Sequence, residues 1–319
     1  MAAHTLAEQV AIDEAPGVDQ FTSRANPGRM GNAANIAYGG CAIGVAIRAA
    51  CETVPAKYLL YSAMGNYLGP ALTDRKLLCS VRRLRDTRTF ATRQVEVSQV
   101  LDSGERRVCM AILADFQVRE KETMYEYSAP PTRKYAAAEA SPDVSDVVAK
   151  LLPREKAKAF TVMYGMKDAF METRVCTEGV AGQNLSGLVN VKTDQDHLPI
   201  TSKTSASWTR IRHPISQTAD KFAALGFVMD EALSFLPLTH TGKALYDVAA
   251  CSSLDFALRF FTAEIDLSRW LFREWNTIAG GDGRTYTEAR LWDREGKMVA
   301  TMTQQSILRP KPGNVKASL

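Results

Sequence analysis

The sequence lacks the residue clusters that hold metals or build a disulfide framework. Its cysteines and histidines are widely spaced, without a CxxC pair, at Cys41, Cys51, Cys79, Cys109, Cys176 and Cys251 and at His4, His197, His213 and His240. Structural zinc sites and disulfide-rich domains need closely spaced ligands or paired cysteines. We therefore expect no metal ion, no cofactor, and reduced thiols that behave as small buried apolar groups.

Long hydrophobic runs and a strong net charge are also missing. The longest uncharged apolar stretch, 38–47, has about half the length of a membrane span. The first 17 residues contain acids where a signal peptide has a basic start. A formal charge of +4 from scattered basic residues excludes an ordinary nucleic-acid-binding surface. We expect a cytoplasmic protein; the C-terminal Ala317-Ser318-Leu319 makes peroxisomal import a less favoured alternative.

The common catalytic signatures are absent as well. The sequence contains no GxSxG nucleophile elbow, no GxxxxGK[ST] phosphate loop, no GxGxxG fingerprint and no HExxH zinc motif. An active site in this chain must therefore be assembled from residues that are far apart in the sequence.

The pattern of apolar residues predicts an α+β fold. The 319 residues, 46% of them hydrophobic, suffice for about two domains. A helix is predicted at 39–54, and because it is apolar on most sides we expect a sheet to wrap it. Strands are predicted at 57–68, 75–84, 87–101 and 105–118, and runs of strands after a helix favour antiparallel sheets. Residues 1–37 look like an irregular lead-in, and 119–158 like a linker with a short helix near 144–152.

The second half of the chain repeats this plan. The pattern predicts a helix at 217–236 and strands at 159–176, 205–213, 248–261, 269–279, 284–292 and 297–308. Some residue identities repeat as well. Arg88-Thr89-Phe90 in the first half corresponds to Arg284-Thr285-Tyr286 in the second, and the turn at Gly104 corresponds to the turn at Gly296. The shared order of elements predicts two homologous halves.

Several segments resemble the acyl-CoA thioesterase II (TesB-type) family in order and spacing. They are YGGCAIGVAIRAACETVP from Tyr38, LRDTRTFATRQV from Leu84, the segment from Asp230 to Pro237, Ser253-Leu254-Asp255, Trp270-Leu271, and VATMTQQSILRP from Val299. The resemblance covers most of 35–120 and 205–310. It implies a double hotdog, in which two antiparallel sheets each wrap a long central helix. We accordingly expect an N-terminal hotdog domain at 1–130, a linker at 131–158 and a C-terminal hotdog domain at 159–319.

The resemblance also implies a catalytic set of an Asp, a Ser or Thr, and a Gln that activates water. Carried over to this sequence, it assigns Asp255 as the base and Gln304 as the amide. The hydroxyl position falls at Thr277 or at Ile278, and Thr277 is chosen because isoleucine cannot bind water. From the strand pattern alone, Asp255 points away from the apolar face of Phe256, which favours a solvated carboxylate; the resemblance reverses this preference.

Substrate binding is assigned to Tyr38, Gly39, Gly40 and Met64. Gly39 and Gly40 open the first helix, where free N–H groups can polarise a developing oxyanion, although close helix–sheet packing explains them equally well. The family commonly places a histidine near Met64 and an arginine near Gly69, and both are missing here. This departure leaves the substrate class open.

The sequence therefore predicts an acyl-thioester hydrolase acting on an acyl-CoA or on a carrier-bound acyl or polyketide chain in lipid metabolism. Two alternatives remain: a hotdog dehydratase or isomerase with a related acyl substrate, and a non-catalytic acyl-binding protein. The expected partner is an apolar small molecule rather than a nucleic acid or a membrane. A homo-oligomer is possible because hotdog proteins commonly associate.

Overall fold

The structure is a computed structural model and describes residues 3–31 and 34–312. The predicted tail Ala317-Ser318-Leu319 lies outside these residues. Seven α-helices occur in the described part of the chain: α1 Leu6–Val10, α2 Gly39–Glu52, α3 Val144–Leu151, α4 Arg154–Phe170, α5 Val180–Asn184, α6 Thr218–Met229 and α7 Leu236–His240. Short 3₁₀ turns occupy Ala138–Ala140, Ile200–Ser202 and Leu245–Asp247.

Twelve strands are formed by the described residues. They are β1 Ile12–Glu14, β2 Gln20–Ser23, β3 Tyr58–Tyr67, β4 Leu78–Asp86, β5 Phe90–Val100, β6 Arg106–Val118, β7 Met171–Val175, β8 Thr204–Ile211, β9 Val248–Phe260, β10 Leu271–Gly281, β11 Arg284–Trp292 and β12 Met298–Pro310. All neighbouring strands pair antiparallel, in the order β1-β2-β4-β5-β6-β3-β9-β12-β11-β10-β8-β7. The first six strands in this order come from one half of the chain and the last six from the other.

The two halves form the expected α+β double hotdog. Each half wraps an antiparallel sheet around one central helix, α2 in the first half and α6 in the second. The sheets meet where β3 pairs with β9, with Met64 opposite Ala257, so they form one continuous surface. The buried residues of α2 and α6 and of the inner strand faces make a single apolar core.

The structure differs from the sequence prediction in three segments. The predicted helix 217–236 ends at Met229, because Ala232, with a φ of 74°, turns the chain away from the helix. The lead-in 1–37 is not irregular throughout, because it contains α1, β1 and β2. The predicted strand 159–176 is wrong over most of its length, since α4 continues to Phe170 and only β7 is extended. The apolar residues of α4 follow helical spacing, and Phe160 and Tyr164 stack one turn apart, with ring centroids separated by 4.5 Å. The expected domain boundary at residue 158 consequently falls inside this helix.

None of the helices in 3–31 and 34–312 combines the length and the hydrophobicity that crossing a bilayer requires.

Glycines allow α2 and α6 to pack closely in antiparallel directions. A Cβ added at Gly44 would lie 3.0 Å from the Ala223 carbonyl oxygen and 2.6 Å from a methyl carbon of Val10. A Cβ added at Gly40 would lie 2.6 Å from the Phe227 carbonyl oxygen. The N-terminus of α2 is therefore held against the C-terminus of α6.

We predict that Gly44→Ala destabilises the protein. The added methyl group meets backbone and a stiff valine, and overpacking of this kind costs about 1–3 kcal/mol of unfolding free energy. Gly165→Ala is the matched control, because a Cβ at Gly165 in α4 has no neighbour within 4 Å. That variant should gain up to about 1 kcal/mol from helix propensity. Urea denaturation of both variants checks the pair, and equal effects would contradict the packing argument.

Candidate active site

A buried carboxylate lies where the two central helices meet. Asp230 directly follows α6, and Ala232, with a φ of 74°, turns the chain away from the helix. Asp230 is only 7% exposed. A Cβ at Gly39 would lie 2.8 Å from Asp230 Oδ2 and 2.8 Å from the Tyr67 hydroxyl, so only glycine lets α2 begin this close to the carboxylate.

Groups from both halves of the chain donate hydrogen bonds to Asp230. The Tyr67 hydroxyl, at the end of β3, donates to Oδ1 at 2.8 Å. The Gln304 Nε2 group, on β12, donates to the same oxygen at 2.8 Å. The backbone N–H of Gly40, in the first turn of α2, also donates to the carboxylate. The first half thus supplies two donors to an acid carried by the second half.

Two serines fix the orientation of the Gln304 amide. Its Oε1 atom accepts from Ser253 Oγ at 3.0 Å and from Ser306 Oγ at 3.3 Å. With the oxygen held by hydroxyls, the NH₂ group must face Asp230. Gln304 is fully buried, and a buried amide needs such partners. Asp230, Gln304 and Ser253 therefore form a connected polar chain in an apolar core.

A β-bulge in β9 decides which side chains reach this chain of hydrogen bonds. Asp255 is opposite Gln305 and Ser253 is opposite Ser306, so Leu254 is an extra residue on β9. In a regular strand Ser253 and Asp255 would share one face. The bulge places Ser253 on the inner face with Gln304 and leaves Asp255 on the outer face.

The predicted residues Asp255 and Thr277 are not brought together with Gln304. Asp255 Oδ1 accepts from the backbone N–H of Gln305 at 3.1 Å, on the outer face. Thr277 is buried on the inner face, but it pairs with Thr287, which in turn pairs with Gln304. With β11 between them, Thr277 and Gln304 are separated by about 10 Å. Of the predicted catalytic set, only Gln304 lies at the buried carboxylate.

The predicted substrate-binding residues divide in a similar way. Gly39 and Gly40 contact Asp230, and the Tyr38 hydroxyl beside them donates to the Phe227 carbonyl oxygen at 2.8 Å. Met64 lies elsewhere. Its side chain is 38% exposed on the outer face, and its sulfur accepts from Arg259 at 3.9 Å.

The sequence interpretation missed Asp230, Ser253 and Tyr67 as site residues. The sequence does hold a signal for Asp230, because it is a charged residue inside the otherwise apolar stretch of the predicted helix 217–236. Ser253 belongs to the segment Ser253-Leu254-Asp255 that resembles the family, but the position of a one-residue bulge cannot be predicted from the alternation of apolar residues in a strand. Tyr67 closes an alternating strand and looks like an ordinary aromatic residue of a sheet.

The pKa values of two adjacent carboxyl groups are shifted in opposite directions. Burial raises the pKa of Asp230 to about 6, although its three hydrogen bonds oppose the shift. Burial also acts against ionisation of Glu231, but the charges of Lys167 and Arg273 overcome it and lower the Glu231 pKa to about 2. Neighbouring acids with separated pKa values are typical of acid–base sites. Asp230 can accept a proton near neutral pH, and Glu231 stays ionised in its ion pairs.

The comparisons with known proteins agree with this arrangement. Models of the N-terminal and C-terminal domains of acyl-CoA thioesterases match residues 26–117 and 170–308, which include Tyr67, Asp230, Ser253 and Gln304. The chain belongs to the acyl-CoA thioesterase family. The TesB-type resemblance is thereby confirmed, and this thioesterase is a hydrolase.

Solved structures share the fold of the thioesterase over almost its full length. The acyl-CoA thioesterase II TesB2 of Mycobacterium marinum matches with a TM-score of 0.67 and 18% identity, covering 98% of this chain and 99% of that one. The tesB protein of Mycobacterium avium subsp. paratuberculosis matches with a TM-score of 0.68 and 18% identity, covering 96% and 98%. A putative thioesterase II of Thermobifida fusca gives a TM-score of 0.68 at 13% identity, covering 95% and 97%.

No group of three or more His, Cys, Asp or Glu side chains that could hold a metal occurs among the residues described.

We predict that Asp230 makes stability fall as pH rises. Its pKa is about 6 in the folded protein, against an ordinary 3.8, so the folded state binds the proton more tightly. Below about pH 4 both states are protonated, and above about pH 6 the folded state bears the full cost of a buried charge, about 3 kcal/mol. Asp230→Asn should remove this loss. Urea denaturation of both proteins between pH 4 and 7 measures it, and parallel pH profiles would contradict it.

Proposed function

We propose that this thioesterase hydrolyses an acyl thioester by means of a water molecule that the Asp230 carboxylate deprotonates. The observation that carries the proposal is the hydrogen-bonded chain of Asp230, Gln304 and Ser253 at the junction of the two helices. Such residues match the Asp, Gln and hydroxyl set that the family resemblance implies. Asp230 and Ser253 replace Asp255 and Thr277 in this proposal, and Gln304 keeps its role.

The reaction needs a base, because water is a poor nucleophile towards a thioester carbon. Asp230 takes one proton from water while the oxygen attacks the carbonyl carbon, which gives a tetrahedral oxyanion. When the oxyanion collapses, the carbon–sulfur bond breaks and the thiolate takes the proton from Asp230. The products are a carboxylic acid and a free thiol, and Asp230 returns to its ionised form.

Gln304 and Ser253 position the base and the water. The Gln304 NH₂ group keeps Asp230 Oδ1 occupied, so Oδ2, beside Gly39, is the oxygen that receives the proton. Burial raises the pKa of Tyr67 well above its ordinary value, and the nearby Asp230 charge adds to this effect. Tyr67 therefore stays a neutral donor to the carboxylate.

The N-terminus of α2 supports the oxyanion. The backbone N–H groups of a first helical turn carry partial positive charge, and they favour a developing negative charge nearby. Glycine at position 39 lets this first turn begin close to the base, because a Cβ there would lie 2.8 Å from Asp230 Oδ2. The predicted roles of Gly39 and Gly40 in substrate binding are part of this proposal.

The acyl carrier is either coenzyme A or a carrier protein, including one that bears a polyketide chain. The family name supports an acyl-CoA substrate. The histidine that the family commonly has near Met64 and the arginine near Gly69 are missing here, so a substrate bound to a carrier protein is the alternative. Comparing hydrolysis of the same acyl group on both carriers separates them.

We predict that Asp230→Asn lowers kcat by about 10²–10⁴-fold, the usual contribution of a general base. Asp255→Asn is the matched control, since it removes the same charge from the outer face and should leave the rate unchanged. Thiol release from a panel of acyl-CoA substrates measures both rates. Loss of activity in Asp255→Asn, with Asp230→Asn active, would reverse the assignment.

We predict a similar contrast for neighbouring amides. Gln304→Ala removes a hydrogen bond to a charged group, which corresponds to a loss of about 10–100-fold in kcat. Gln305→Ala truncates an amide on the opposite face of β12 and should have little effect. Ser253→Ala should lower kcat and Thr277→Val should not. Thermal unfolding of each variant confirms that the compared proteins are folded.

We predict that kcat/KM rises with pH and reaches a plateau. With Asp230 acting as a base of pKa about 6, the rate should increase about tenfold per pH unit below pH 6 and level off above it. Initial rates between pH 4.5 and 8 test this. A profile that falls over the same range would indicate that the protonated acid is the active form.

The products distinguish hydrolysis from the alternative reactions. Hydrolysis releases the thiol carrier, whereas a dehydratase loses water and an isomerase leaves the mass unchanged. Mass spectrometry of the products identifies the reaction. Tight binding without turnover would favour an acyl-binding protein.

A further inference from the structure

A cavity lies in the C-terminal half beside the proposed catalytic turn. Its volume is about 90 Å³, and it is bounded by the edge strand β7 and its neighbour β8, by α4, α5 and α7, and by the segment that follows Asp230. Glu231, Ala232 and Leu236 of that segment line it directly. The chain that carries the proposed base thus forms one wall of the cavity.

Three buried hydroxyl groups on the cavity wall have no hydrogen-bond partner within the described part of the protein. They belong to Thr173 on β7, Ser207 on β8 and Thr239 on α7, which are 6%, 7% and 1% exposed. A fourth hydroxyl differs from them. Ser205 Oγ lies 3.0 Å from His240 Nε2 and accepts from the Ala181 N–H at 3.1 Å. The wall therefore contains both bonded and unbonded hydroxyl groups, and the unbonded ones belong to Thr173, Ser207 and Thr239.

Hydroxyl groups in an apolar cavity select ligands that can pair with them. A hydrocarbon segment placed against Thr173, Ser207 and Thr239 would exclude water and leave their hydroxyl groups without a hydrogen-bond partner. Each hydroxyl buried in this way lowers the affinity for the ligand about tenfold. A hydroxyl or carbonyl oxygen on the ligand can donate to or accept from them. The rest of the wall is apolar, with Val175 and Trp275 among its residues, so the ligand combines a carbon chain with oxygen.

The charges around the cavity favour an uncharged ligand. Lys167 is the one cationic side chain on the wall among the described residues, and it is paired with Glu231. Asp168 adds a carboxyl group to the same wall. A phosphate or a free carboxylate would find no unpaired cation among the described lining residues, which disfavours the nucleotide end of coenzyme A.

We propose that this cavity binds an oxygen-bearing segment of the acyl chain and makes the thioesterase selective for hydroxylated or keto-substituted acyl groups. The inference rests on the proposed function, since it assigns the acyl end of the same substrate. A cavity of about 150 Å³ holds one benzene molecule, so the present cavity takes a segment of about four non-hydrogen atoms. The contacts are made by Thr173, Ser207 and Thr239.

The test measures binding separately from hydrolysis. Stable S-(2-oxoalkyl)-CoA thioethers of one chain length are prepared without a hydroxyl group and with one hydroxyl moved along the chain one carbon at a time. Calorimetry with the full-length protein gives their dissociation constants. We expect at least one hydroxylated analogue to bind about tenfold more tightly than the unsubstituted one.

Variants locate the effect. Ser207→Ala and Thr239→Val should each bring the affinity ratio of the best hydroxylated analogue to the unsubstituted analogue close to 1. Neither variant should lose thermal stability, because neither hydroxyl is bonded within the described part of the protein. Thr209→Val is the matched control; its hydroxyl lies on the same strand, is buried, and donates to the Glu172 carbonyl oxygen at 3.3 Å. It should keep the preference.

The outcomes separate the two proposals. Equal affinity for all analogues, no binding of any analogue, or a preference that survives in both cavity variants overturns the cavity assignment, whatever the rate of hydrolysis. A preference that depends on Ser207 and Thr239 supports the assignment even if no thioester is hydrolysed. Absence of thiol release from every substrate overturns the proposed function alone.

Discussion

The close antiparallel packing of α2 against α6 is the constraint on which the site depends. Glycine at positions 40 and 44 lets backbone meet backbone, so the N-terminus of one helix lies beside the C-terminus of the other. Asp230 follows α6 and Gly39 begins α2, which brings an acid to the positive end of a helix. Larger side chains at these glycines would separate the helices and with them the carboxylate and its donors.

Burying a carboxylate in this core has an energetic cost, and the protein offsets only part of it. Tyr67, Gln304 and the Gly40 N–H each donate to Asp230, yet its pKa stays above the ordinary range. Glu231, one residue on, receives two full positive charges, from Lys167 and Arg273, and remains strongly acidic. Hydrogen bonds without a neutralising cation leave Asp230 basic enough to accept a proton, whereas the ion pairs fix Glu231 as a structural group.

Much of the architecture is predictable from the sequence because its helices and strands are long segments in which apolar residues recur at regular spacing. The apolar helix at 39–54, the strands up to Val118 and the helix and strands predicted from residue 205 onward correspond to elements of the structure. The site was predictable only in part. Gln304 lies on a regular strand whose pattern gives its face correctly, but the extra residue Leu254 moves Ser253 and Asp255 onto opposite faces. Long-range contacts such as Tyr67 to Asp230 have no local signal at all.

The origin of the hydrogen bonds to Asp230 has a consequence for how the molecule can be divided. The acid, Gln304 and Ser253 belong to the second half, but Tyr67 and the Gly40 N–H belong to the first. Neither half expressed alone contains a complete set of donors, and each would expose the helix face that the other covers. Joining the halves in one chain makes their association intramolecular and therefore independent of protein concentration. The covalent link thus keeps Asp230 beside its two donors from the first half, a contact that two separate proteins could make only by associating.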